Sequence, residues 1–243
     1  MKLQDAVVLI VEDEVSLLEI MGEWLERENC RVLLAENGAQ ALKLMETTAV
    51  DIVISDIRMP VMDGISLLRA IQRRPGRVPA IVLVSGVADM HPREAFGLGA
   101  AALILKPMRR QHLVFAVEQI LAGHDYRWSN PRGVRSAVAL NSTFAGLATA
   151  IQQGSIAFGC GGFCIDSKLN VPEGALVELA VEFTDERKSI RGQGVVRWLD
   201  CEQEKLGIEI ASLDEECRGW VTALTEAGEG HAFIPADTAL TTA

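Results

Sequence analysis

Two short runs, VVLIV at residues 7–11 and IVLV at 81–84, are apolar at every position. A strand with one wet face alternates apolar and polar residues. One buried on both faces does not, so these runs read as interior strands of a parallel sheet. The first half keeps a steady rhythm around them. Residues 6–11, 31–35, 52–55, 80–85 and 101–105 read as five strands; segments 15–27, 39–47, 65–73, 92–98 and 108–121 carry a helical period. In the first of these, Leu17, Ile20, Met21, Trp24 and Leu25 form one apolar stripe. Five strand–helix units in succession predict an α/β doubly wound fold with a five-stranded parallel sheet.

That rhythm stops at AGHDYRWSNPRG, residues 122–133, where Gly, Pro and Asn punctuate the chain. Beyond it the period changes to two. In ALVELAVEF (175–183), Val177, Leu179, Val181 and Phe183 fall on one face, with Glu178 and Glu182 on the other. Residues 189–200 and 205–213 read as further strands, spaced as in an antiparallel barrel or sandwich. A helix over 214–227 places Leu213, Cys217, Trp220, Val221 and Leu224 together. The expected organisation is a first domain over 1–123, a linker over 124–133, a small antiparallel β-barrel with a C-terminal helix over 134–228, and a flexible tail over 229–243.

Composition narrows the function classes. A net charge of −10 offers no global positive field, so generic DNA binding is not expected. No apolar run approaches the roughly 20 residues that span a bilayer, and the N-terminus turns acidic too early for a signal peptide. The expectation is a cytoplasmic chain without membrane insertion. Five scattered cysteines (30, 160, 164, 201 and 217) suit reduced thiols rather than a disulfide framework. No Walker loop and no Ser-His-Asp or metal-ligand cluster occurs in the second half, so that half is not read as an enzyme.

In a parallel sheet, ligands gather at the carboxyl ends of the strands. Those ends supply Glu12 and Asp13 after the first strand, Asp56 after the third, Ser85 closing the fourth and Lys106 after the fifth. Three carboxylates at one rim repel one another and call for a cation; oxygen ligands suit Mg²⁺. A lysine and a hydroxyl beside them suit a phosphoryl group. The set fits phosphoryl chemistry on a carboxylate.

With VEDE (11–14), DIVISDIRMPVMDG (51–64), VLVSG (82–86) and GAAALILKP (99–107), residues 4–123 resemble the receiver domain of two-component response regulators. The resemblance implies a flavodoxin-like fold in which Asp56 accepts a phosphoryl group from a sensor histidine kinase or a small phosphodonor. It implies Mg²⁺ held by Asp13, Asp56 and the main-chain carbonyl of Arg58, with Glu12 reaching it through water. Lys106 would clamp the phosphoryl oxygens, Ser85 would carry the switch, and the Lys106–Pro107 bond would be cis. Where receivers usually carry a switch aromatic, this chain has Leu103. Pro92 within 87–97 suggests a short or irregular fourth helix, on a face such domains use to dimerise.

Residues 127–227 resemble a PilZ domain, through GSIAFGCGGFCI (154–165), PEGALVELAVEF (172–183), GQGVVRWL (192–199) and KLGIEI (205–210). That resemblance implies a six-stranded barrel of a kind that often binds cyclic di-GMP through arginines and a D/N-x-S-x-x-G turn. Here Arg127, Arg132 and Arg135 are spaced five and three apart, and Ala157 and Gly159 stand where the turn's ligand-bonding side chains belong. Neither can hydrogen-bond through its side chain. Cys160 and Cys164 lack a second pair for zinc, and the turn leads into a strand rather than a helix, so it is no phosphate cradle. The expected output is therefore docking of an unknown protein target. The alternatives are a phosphorylation-coupled cyclic di-GMP receptor using those arginines, or a homodimer formed on phosphorylation.

Overall fold

The five apolar runs of the first half become five parallel strands in the computed structural model, which describes residues 3–86, 89–122, 128–129, 138–227 and 232–236. They are β1 (Val7–Val11), β2 (Arg31–Ala35), β3 (Ile52–Asp56), β4 (Ala80–Ser85) and β5 (Ala102–Leu105), hydrogen-bonded in the order β2-β1-β3-β4-β5. Helices α1 (Val15–Glu26), α2 (Gly38–Thr47), α3 (Gly64–Gln72), α4 (Pro92–Gly97) and α5 (Arg110–Leu121) alternate with them. The short α4 is the truncated fourth helix that Pro92 announces.

Val8, Ile10, Ile52, Ile54, Val82 and Val84 cluster with Leu18, Met21 and Leu25 of α1 and with Leu113 and Val117 of α5. The alternate residues Leu9, Val53 and Leu83 are equally buried. Both faces of the sheet are covered, which is why these runs do not alternate. The α1 stripe differs from the expected one: Leu18 takes the core position, Leu17 is half-buried, and Ile20 is 45% exposed. The apolar arc of this helix is wider than its contact, and Met21 and Leu25 fit either reading.

Contacts divide the chain into two compact units, Met1–His91 with Leu98–Gly123, and Pro92–Gly97 with His124–Ala243. In the second, β6 (Val138–Phe144), α6 (Leu147–Gln152), β7 (Ile156–Phe158), β8 (Gly162–Asp166), β9 (Leu176–Phe183), β10 (Lys188–Asp200), β11 (Lys205–Leu213) and α7 (Glu215–Ala227) follow in order. The sheet runs β6-β9-β10-β11-β8-β7. The expected antiparallel barrel is corrected here. β6 pairs β9 in parallel while the other pairs are antiparallel, giving a mixed, curled half-barrel with β6 and β7 at its edges. Pairing direction depends on the path through α6, β7 and β8, which periodicity does not report.

The core of this unit is the face that the alternation assigns, with Val177, Leu179, Val181 and Phe183 packed with Ile190, Val196, Ile208, Cys217 and Val221. Trp128 belongs to the same core although the sequence places it in the linker; it is fully buried and its indole N–H donates to the Ile210 carbonyl at 3.1 Å. Phe233 and Ile234, in the segment expected to be flexible, are also buried. No helix among the described residues is long and apolar enough to cross a membrane.

Candidate functional site

The rim at the carboxyl ends of β1, β3, β4 and β5 is built by register. Val11 lies beside Ser55 and Asp56 beside Val84, so Glu12 and Asp13 leave β1 next to the end of β3. Lys106 follows β5, its N–H donating to the Ser85 carbonyl at 2.8 Å. The β3–α3 loop is held close: the Gly64 N–H donates to the Ile57 carbonyl at 3.0 Å, and a Cβ at Gly64 would strike the Asp56 carbonyl. Asp63 then starts α3, its carboxylate accepting the Ser66 N–H at 2.6 Å.

Glu12, Asp13 and Asp56 each present a carboxylate oxygen within 4.8 Å of the others. Glu12 and Asp56 are buried and Asp13 is exposed. Lys106 Nζ lies 2.8 Å from Glu12 Oε2 and 3.1 Å from Asp56 Oδ1. Burial raises the Glu12 carboxyl above its usual range, the Asp56 charge adding to this and Lys106 opposing it. Burial alone would lower Lys106, but its hydrogen bonds to Glu12 and Asp56 outweigh that and raise it. One ammonium does not balance three carboxylates; at an effective dielectric of about 20, two unit charges 4 Å apart repel by about 4 kcal/mol. The donor set is all oxygen and close enough for a hydrated Mg²⁺, with some contacts direct and some through water. The residues therefore fit the ion.

Of the expected site residues, Glu12, Asp13, Asp56 and Lys106 are brought together. Ser85 is completely buried, and its hydroxyl donates to the Gly86 carbonyl at 2.8 Å rather than toward Asp56. The Lys106–Pro107 peptide is cis. Leu103, in place of the aromatic, is half-buried on β5. Sequence reasoning missed Asp89, whose carboxylate pairs with the Arg58 side chain. It used only the Arg58 carbonyl and counted Asp89 within the segment 87–97 read as a short or irregular fourth helix.

In the second unit, Arg127, Arg132 and Arg135 lie outside the described residues. The glycine turn between β7 and β8 is occupied by the chain itself. Cys160 N–H donates to the Ala232 carbonyl at 3.1 Å and Gly161 N–H to the Phe233 carbonyl at 2.9 Å. A Cβ on Gly161 would overlap the Phe233 ring, and one on Gly159 would meet the Ala232 and Phe233 carbonyls. The glycines serve close approach of the tail. Nothing in the 155–167 pattern signals this, because its partner is about 70 residues away. The cysteines are thiols rather than disulfides, and burial, helped by Glu28, pushes the Cys30 thiol up to about 11.

Residues 8–118 match the model of the response regulator receiver domain. The transcriptional regulatory protein GlrR of Escherichia coli K12 is 33% identical over 55% of this chain and 31% of its own length. The response regulator GtcR of Aneurinibacillus migulanus is 28% identical over 62% of this chain and 61% of its own. The DNA-binding transcriptional regulator NtrC of E. coli K12 is 29% identical over 55% of this chain and 28% of its own. The chain thus spans less than two thirds of each of these relatives. Among solved structures, a response regulator receiver domain protein from Clostridium thermocellum is 28% identical, covering 48% of this chain and 94% of that one, with a TM-score of 0.45.

Proposed function

Residues 8–118 form a response regulator receiver domain, and from that premise we propose that Asp56 accepts a phosphoryl group and that the signal is delivered by the second unit to a protein target. The observation that carries the first part is the convergence of Glu12, Asp13, Asp56 and Lys106 at one rim. An Asp56 oxygen attacks phosphorus in line. The P–N bond of a kinase phosphohistidine, or the P–O bond of a small acyl phosphate, breaks as the new P–O bond forms. Asp13, Asp56 and the Arg58 carbonyl would hold Mg²⁺, with Glu12 reaching it through water, and the ion would supply charge neutralisation on the phosphoryl oxygens. Lys106, already seated against Asp56, shifts to one of those oxygens. The Ser85 hydroxyl turns from the Gly86 carbonyl to the phosphoryl group, and that turn is the switch.

For the second unit, docking is favoured by what fills the turn where a nucleotide reader would place its polar groups. Ala157 and Gly159 bring no hydrogen-bonding side chain, and Phe233 lies over Gly161. The DNA binding named for NtrC stays with that protein, since the match covers 28% of its length.

The chain incubated with a radiolabelled small acyl phosphate and Mg²⁺ should take up label, and Asp56→Asn should take up none. Label that persists in that variant would show the phosphoacceptor to be another residue. Calorimetry of the full chain with cyclic di-GMP should show no heat of binding. Binding that disappears in Arg132→Ala would overturn the docking reading in favour of a nucleotide receptor.

A further inference from the structure

The buried Ser85 hydroxyl is committed to the Gly86 carbonyl, so whatever holds the Gly86 peptide also holds the switch. Asp89 holds the backbone of Gly86 at two successive peptide groups. Its Oδ2 accepts the Gly86 N–H at 2.7 Å, and its own N–H donates to the Gly86 carbonyl at 3.3 Å. A Cβ at residue 86 would lie 2.7 Å from Asp89 Oδ2, so a larger residue there would push the carboxylate aside. The other carboxylate oxygen, Oδ1, is paired with Arg58 Nε. Arg58 stands two residues after Asp56, in the loop that closes onto Ile57 and Gly64. One carboxylate therefore ties the loop after β4 to the loop that follows Asp56.

The two halves of this link differ in strength. The Asp89 side chain is 17% exposed, whereas Arg58 is 73% exposed. An exposed ion pair is screened and contributes little; a charge-assisted bond from a half-buried carboxylate to a backbone N–H contributes more. We propose that Asp89 is a positioning residue that holds Ser85 in its resting direction through the Gly86 peptide, with Arg58 orienting the Asp89 carboxylate. The inference rests on the reading of Asp56 as phosphoacceptor. For Ser85 to reach a phosphoryl group, its bond to the Gly86 carbonyl must break, and a Gly86 backbone held by Asp89 at its N–H and its carbonyl keeps that acceptor in place. The clamp thus favours the resting state. Loosening it raises the share of phosphorylated molecules in which Ser85 covers the phosphoryl group and hinders its hydrolysis. In that hydrolysis a water oxygen bonds phosphorus, the P–O bond to Asp56 breaks, and inorganic phosphate leaves.

The test labels the full chain with a radiolabelled acyl phosphate and Mg²⁺, removes the donor and follows the half-life of the label. Losing one hydrogen bond to a charged group shifts a two-state balance by about tenfold or more. Asp89→Ala should lengthen the half-life by about that factor. Asp89→Asn, whose amide oxygen can still accept the Gly86 N–H, should give a smaller lengthening. Arg58→Ala, which keeps the Gly86 bond, should lengthen it by about twofold or less. In a Ser85→Ala background, Asp89→Ala should add nothing, since no hydroxyl remains to be released; a merely structural role would act equally in both backgrounds. A half-life unchanged or shortened in Asp89→Ala, or lengthened equally in the Ser85→Ala background, overturns the inference. If Asp89→Ala does not fold, Asp89→Asn and Arg58→Ala carry the same comparison. A wild-type chain that takes no label removes the premise instead, and with it the inference; label with unchanged half-lives overturns the inference alone.

Discussion

Gly64 shows how much of the acidic site rests on a residue with no side chain. The carbonyl of Asp56 occupies the space where a Cβ would go, and backbone cannot yield as a flexible side chain can. Gly64→Ala should therefore cost about 1–3 kcal/mol by overpacking, read from urea unfolding of the chain. An unchanged unfolding midpoint would mean that the loop adapts freely. Gly161 is the counterpart in the second unit, with an aromatic ring rather than backbone in the way. Phe233→Ala should destabilise this unit by about 1–3 kcal/mol, less than the roughly 3–5 kcal/mol of a central core phenylalanine, because a tail can detach. Gly161→Ala should cost less in the Phe233→Ala background than alone, since the ring that it meets is gone; equal costs would place the ring elsewhere. Both glycines are visible in the sequence as glycines. What each makes room for is not, because the neighbour comes from another part of the chain.

The β10–β11 connection is an element whose stability can be tied to one carboxylate. Asp200 Oδ1 accepts the N–H groups of Glu202 and Gln203, each at 3.0 Å, closing the turn before β11. The Gln203 N–H is the main cause that holds the Asp200 carboxyl below its ordinary 3.8. A depressed folded-state value means that the stabilisation is present above pH 3.8 and is lost as pH falls through the lower folded-state value. Asp200→Ala should cost about 1–3 kcal/mol at neutral pH, from two bonds of about 0.5–1.5 kcal/mol each. Urea unfolding followed by tryptophan fluorescence reads this, as Trp128, Trp198 and Trp220 all lie in this unit. The gap between wild type and variant should narrow in buffers below pH 3.8; a gap independent of pH would show that charge has no part in the turn. At this scale periodicity served well. The strands read at 175–183, 189–200 and 205–213 appear as Leu176–Phe183, Lys188–Asp200 and Lys205–Leu213. β6 was legible only as part of a β-rich stretch, since VALNSTF alternates weakly and its Asn, Ser and Thr read equally as loop.

At the scale of the whole molecule, two separate apolar cores, one per unit, predict two unfolding events with different sensitivities. Among the described residues the acidic cluster lies in the first unit, so Mg²⁺ should raise that unit's transition and leave the other unchanged in calorimetry. The expected gain is about 2.7 kcal/mol at a hundredfold excess over the dissociation constant. Asp13→Asn should abolish that shift while leaving the ion-free transition close to wild type, because Asp13 is exposed. A shift that survives in Asp13→Asn would exclude Asp13 as a ligand. The sequence alone determined the doubly wound sheet and the acidic rim. Runs apolar on both faces force a covered parallel sheet, and such a sheet gathers its strand ends at one edge, so residues far apart in the chain can be assigned to one site by counting. The tertiary structure alone decided the parallel pairing of β6 with β9, the grip of Asp89 on Gly86 and the seating of Phe233 over the glycine turn. Each depends on the path that a loop or tail takes in space, and contacts between non-repeating segments leave no period in the chain to be read.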